Sequence, residues 1–183
     1  IESNNAFISY VPKGNFLRAS STESLLVFFK DEGKLNGTAI VSPSGITGNG
    51  IMNLKEANLR SDHFKFKRWE VNADTSNFNL KNKYQQEDEE QLSFKTENVT
   101  ARVSFSERKG IFTSNKGESK VEFPVNQYFC RMDKFTWMMD SEVINMENSG
   151  KSNIDIDAGL DLSKPNFFSL HPKQDSLQFK SSK

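Results

Sequence analysis

The chain predicts an all-β protein, a β-solenoid or an elongated open jelly roll of many short strands with little helix. Three observations carry that expectation. Apolar and polar residues alternate with period two through most of the sequence, turn-forming residues return roughly every ten to thirty positions, and no segment keeps an apolar period of about 3.6 for three turns. A six-residue line is also written three times, as "DHFKFK" from Asp62, "EQLSFK" from Glu90 and "DSLQFK" from Asp175. Their spacing suits a coil period of about 28, in which stacked β-units bury their faces against one another.

The opening, "IESNNAFISY", has neither an initiator Met nor a signal-type apolar core, which leads to the expectation of a piece excised from a longer chain. Residues 1–183 read as a single β-repeat domain, with 1–45 as its weaker N-terminal portion. One or two helical turns are expected around "STESLLVFF", and again around "MDSEVINM". Between them, "LNGTAIVSPSGITGNGIMNL" reads as a hairpin in which Ala39, Ile40 and Val41 are answered by Ile46 and by 51–54, with Pro43 and Gly45 at the turn.

Short one-face-wet strands follow: "HFKFK" (Phe64, Phe66), "RWEVNAD" (Trp69, Val71, Ala73), "NFNLK" (Phe78, Leu80) and "NVTARVSF" (Val99, Ala101, Val103, Phe105). The charge run "QQEDEEQ" is a solvated loop, because like charges repel and resist burial. In "NIDIDAGLDL" the aliphatic residues share one face, and Asp155, Asp157 and Asp161 share the other.

The 24 basic and 24 acidic residues cancel, which removes the electrostatic footprint of a nucleic-acid binder or a membrane-surface protein. The longest apolar run, "LLVFF", is far short of the ~20 residues of a spanning helix, so no membrane span is expected. Leu, Ile, Val and Phe make up about a quarter of the chain, above the level of disordered segments. A mean hydropathy of -0.65 means that much of each strand faces water.

No catalytic residue is nominated, and no cofactor is expected. His63 and His171 have no Ser or Cys in a recognisable nucleophile setting, and Cys130 in "QYFCRMD" reads as a buried thiol. Asp155, Asp157 and Asp161 are the candidate metal ligands, since hard cations favour convergent carboxylates. Alternate positions on a strand lie ~6.5–7 Å apart, however, too far to share one ion unless the chain bends at Gly159. In "KFTWMMD", Phe135, Trp137 and Met139 share one face. Burial is the first reading of that stripe, and a platform for glycan or lipid the second.

The line "NVTARVSFSERKGIFTSN", Asn98 to Asn115, resembles the repeat unit of OstA-like domains, and "ANLRSDHFKFKRWEVNADTSNFNLK", Ala57 to Lys81, follows similar grammar. With "VEFPVNQYFCRMDKFTWMMD" and "NFFSLHPKQDSLQF", the whole chain also resembles a slice of the large strand-repeat envelope proteins of Bacteroidota. The first resemblance implies an open, twisted jelly roll in the bridge for lipopolysaccharide transport, with an inner groove that holds an apolar chain. Both imply a place in the cell envelope or outside the cell.

The resulting expectation is a non-catalytic scaffold segment of a cell-envelope or secreted protein. Its partners would be neighbouring repeats of its own polypeptide, or other copies through strand edges. A glycan- or lipid-binding module is the alternative, and a carbohydrate-active enzyme on a β-solenoid the third.

Overall fold

The structure is a computed structural model that describes residues 1–81, 92–117, 119–125, 128–141, 143–148, 159–160 and 177–181. Its strands are β1 (Ala6–Val11), β2 (Phe16–Ser21), β3 (Leu26–Phe28), β4 (Gly33–Ser42), β5 (Gly45–Leu54), β6 (Ala57–Lys67), β7 (Glu70–Lys81), β8 (Leu92–Ser104), β9 (Lys109–Ser114), β10 (Ser119–Phe123), β11 (Tyr128–Met132), β12 (Lys134–Met138), β13 (Ile144–Asn148), β14 (Gly159–Leu160) and β15 (Leu177–Ser181). Among the described residues the helical content is one 3-10 turn, Pro12–Gly14. The strands form one open sheet in the order β1-β2-β4-β5-β6-β7-β8-β9-β12-β13-β15. Every neighbouring pair is antiparallel except β13 with β15.

The expected hairpin is β4–β5, closed at Ser42 and Gly45. The two helical expectations are overturned, because Leu26–Phe28 lies on β4 as a strand and Ile144–Asn148 lies on β12. A helix of one or two turns bonds few of its own backbone groups and is costly to nucleate, whereas pairing with an existing strand satisfies the backbone at once.

The central strands are also longer than the sequence suggests. "HFKFK" and the "ANLRS" before it are one strand, β6, and "EVNAD" and "NFNLK" are one strand, β7. Inward and outward positions alternate until two consecutive residues face solvent, at Asp62 and His63 in β6 and at Asp74 and Thr75 in β7, after which the alternation resumes one position out of phase. In β8 the same slip falls at Glu97 and Asn98, and Asn98 takes a left-handed conformation with φ of 56°.

These slips line up into a crease across the sheet. The β6–β7 ladder opens between Arg60 and Phe64, and the β7–β8 register shifts between Ala73 and Phe78. On one side of the crease β8 pairs with β9 and on the other with β10, so that β9 and β10 act as one interrupted strand. β4 is shared by β2 and β3 in the same way.

Polar side chains bridge the backbone groups that the interruption frees. Ser61 Oγ donates to the Thr75 carbonyl (2.7 Å) and Ser76 Oγ to the Val99 carbonyl (2.9 Å). Thr100 Oγ1 and Asn115 Nδ2 both donate to the Asp74 carbonyl (3.1 and 2.9 Å). Ser61 and Ser76 are buried, and their hydroxyls are satisfied as burial requires.

Along this crease the sheet folds onto itself, and both halves turn the same face inward. In one half, Tyr10, Leu17, Val41, Ile46, Phe66, Val71, Val103, Gly110, Trp137 and Ile144 stand opposite one another across ten strands. In the other, Leu26, Leu35, Met52, Leu59, Phe78, Thr96, Val121 and Cys130 form a second row, all buried.

The rows meet through aromatic rings. Phe78 lies 5.4 Å from Trp137 and 4.3 Å from Phe112, and Phe94 lies 4.9 Å from Phe135, centroid to centroid. Burying each such ring is worth ~1.5–3 kcal/mol, and the ring contacts add ~0.5–1.5 kcal/mol.

The repeated hexapeptides do not mark equivalent positions. Phe66, fifth in its line, pairs with Val71, and Val71 with Val103, while its counterpart Phe94 stands opposite Leu80 in another row. Phe179 falls in the row of Phe64, through Met146 and Phe135, and not in that of its counterpart Phe66, and its strand runs against β6.

Where the folded halves meet at their ends, four turns are tied by charge. Arg108, after β8, makes a bidentate pair with Asp140 (both 2.7 Å) and reaches Glu32 at 3.1 Å, while Lys55 holds Asp140 at 3.1 Å. The Arg108 and Lys55 bonds hold the Asp140 carboxyl well below the usual carboxylate range, and Asp140 and Glu32 raise the Arg108 guanidinium in turn. The β3–β4 turn enters this clasp with Phe29, Lys30 and Asp31 all at positive φ, stacked through Phe29 on Phe105 at 4.2 Å.

Candidate functional site: the uncovered edge of the sheet

The inner rows are covered in the middle of the sheet and bare at its first edge. Leu17 is 44% exposed, Tyr10 57% and Ile8 66%, although they continue the rows of Phe66 and Phe64. On the other face of β1, Phe7 is 63% exposed. Five of the six large exposed apolar residues among the described ones lie between Ile1 and Leu17.

Local chemistry builds this edge firmly. Pro12 opens the 3-10 turn and Asn15 closes it at φ 48°, a left-handed position that Asn tolerates. Tyr10 Oη donates to Asn15 Oδ1 at 3.2 Å, and the Arg18 guanidinium lies 6.0 Å from the Phe16 ring. At the opposite end, Asn5 Nδ2 donates to Glu23 Oε2 at 3.1 Å.

β1 pairs on one side with β2, and its sequence, "AFISYV", contains no charged residue and no proline. Edge strands are ordinarily shielded by such residues, because a row of free amide and carbonyl groups templates another strand. The sequence carries the signal as apolar residues of both parities, Phe7 beside Ile8 and Tyr10 beside Val11, which departs from the period-two pattern of a strand with one wet face.

The stripe in "KFTWMMD" is interior. Phe135 is 2% exposed, Trp137 3% and Met139 6%, so none of the three presents a surface ring or thioether. The expected acidic ligands Asp155, Asp157 and Asp161 lie outside the described residues, as does His171. Among the described residues no group of three or more His, Cys, Asp or Glu is placed to hold a metal ion. His63 is exposed on the crease, where its backbone N–H donates to Ser61 Oγ at 3.1 Å. Cys130 is buried, and burial pushes its thiol up to about 11.

The fold is thus all-β, one open and nearly all antiparallel sheet creased upon itself. No family model matches the chain, and no curated protein and no solved structure matches it.

Proposed function

We propose that the chain is a non-catalytic structural segment of a cell-envelope or secreted protein, and that its sheet is continued by a further strand at β1. One observation carries this reading: the inner row that runs through ten strands ends on an uncharged edge strand whose apolar residues are uncovered. A strand laid against β1 would satisfy its backbone and bury Ile8 and Tyr10 in one step. The resemblance to strand-repeat envelope proteins supports the same reading and supplies the location.

A binding module for an apolar chain or glycan is the second reading, favoured by Tyr10 and Leu17 standing bare beside the folded interior. Sedimentation velocity across a wide concentration range tests the first against the second. Association that grows with concentration is expected. A strict monomer that binds an apolar fluorescent dye saturably, and loses that binding in Leu17→Glu, would replace the scaffold with the binding module.

A further inference from the structure

We infer that the occupant of the β1 edge is a second copy of this chain, paired β1 to β1 antiparallel about a two-fold axis beside Ile8. This rests on the edge-continuation reading and names its partner. The argument is one of shape and charge.

Ala6, Ile8 and Tyr10 share the inward face of β1. A two-fold axis normal to the sheet at Ile8 places Ile8 against Ile8 and Ala6 against Tyr10 of the other copy, so the small side chain receives the large one. The same axis keeps the inner faces of both sheets on one side, and the row of Ile8 passes from copy to copy without a step, while that of Tyr10 closes over Ala6 of the other copy. A two-fold interface must be self-complementary, and a strand free of charge brings no like charges face to face.

The flanks supply the direction. Glu2 and Glu23 are exposed at the end of the hairpin where β1 begins, and Lys13 and Arg18 are exposed at the end where it finishes. Antiparallel pairing about Ile8 brings the turn that carries Lys13 of one copy toward the end that carries Glu2 of the other, at both ends of the interface. Parallel pairing would set acid beside acid and base beside base, which costs association. The chain as a whole is neutral, so no net repulsion opposes the encounter.

Sedimentation equilibrium on the wild type and four variants tests the pairing, with circular dichroism to verify the fold. The wild type is expected to form dimers. Ile8→Lys sets two ammonium groups against each other and is expected to lower the association constant roughly tenfold or more, with an unchanged spectrum because the side chain is exposed. Glu2→Lys and Lys13→Glu are each expected to weaken association roughly two- to tenfold, and the double variant to restore it, since the swap regenerates both opposite-charge contacts.

Dimers that survive Ile8→Lys, or a double reversal weaker than either single one, would overturn this pairing and leave continuation through another strand standing. A wild type that stays monomeric at every concentration would overturn the pairing and the edge reading together.

Discussion

At the scale of single residues, two side chains carry different kinds of stability. Trp137 is enclosed between the folded halves and touches Phe78, so Trp137→Ala is expected to cost ~3–5 kcal/mol in urea denaturation through lost burial and the cavity left behind. Tyr10→Ala, on the bare edge, is expected to stay within ~0.5 kcal/mol in dilute solution.

Glu70 works through charge. Asn72 Nδ2 donates to its carboxylate at 2.7 Å, Lys67 at 3.1 Å and Arg102 at 2.8 Å, and these bonds outweigh partial burial to lower its pKa to about 2 from an ordinary 4.5. A depressed carboxylate pKa means that the unfolded chain takes up the proton first. The stabilisation is therefore complete above pH 4.5 and is lost as pH falls toward about 2. Urea midpoints measured from pH 6 to pH 2 should fall less steeply for Glu70→Gln than for the wild type.

At the scale of elements, the crease decides how the strands read. Gly37 and Gly50 face each other where β4 and β5 cross it, and a Cβ on Gly50 would lie 2.2 Å from the Asn36 carbonyl oxygen with the backbone at φ +123°. Gly45 has a similar φ of +130° but open space around it. Gly50→Ala is expected to cost more than ~2 kcal/mol and Gly45→Ala about 1 kcal/mol, because only the first adds a backbone clash to the conformational penalty. Denaturant midpoints for the two variants separate those costs, and equal losses would mean that close approach of β4 and β5 is unimportant.

At the scale of the molecule, one sheet serves as both layers of its own core, and the four-residue clasp fastens the ends. Arg108 is the hub, since it binds Asp140 and Glu32 from separate turns. Its partners are partly exposed, so removing it should loosen the closure more than it unfolds the sheet. Hydrogen exchange for Arg108→Ala should therefore quicken in 29–33 and 138–141 while the amides of β6 and β7 stay protected. Uniform acceleration through the sheet would show instead that the clasp supports global stability.

The all-β class, the β4–β5 hairpin and the inward sets around Phe64, Val71, Phe78 and Val99 follow from local pattern alone, because a pleat projects alternate side chains to opposite faces wherever the strand lies, whereas Trp69, read as part of a strand, stands in the β6–β7 turn at φ 68°. Local pattern could not join the half-strands. Pairs such as Asp62–His63 and Asp74–Thr75 break the alternation and look like turns, and only neighbouring strands slipping at the same level make them a crease.

The repeated hexapeptides failed as a period for the same reason: similar local grammar satisfies any strand with one wet face, while pairing register depends on partners far away in the chain. Burial was likewise a tertiary matter. "KFTWMMD" and "AFISYV" are both rich in apolar residues, yet the first is enclosed because the other half of the sheet folds over it, and the second is bare because β1 lies at the edge, beyond that cover.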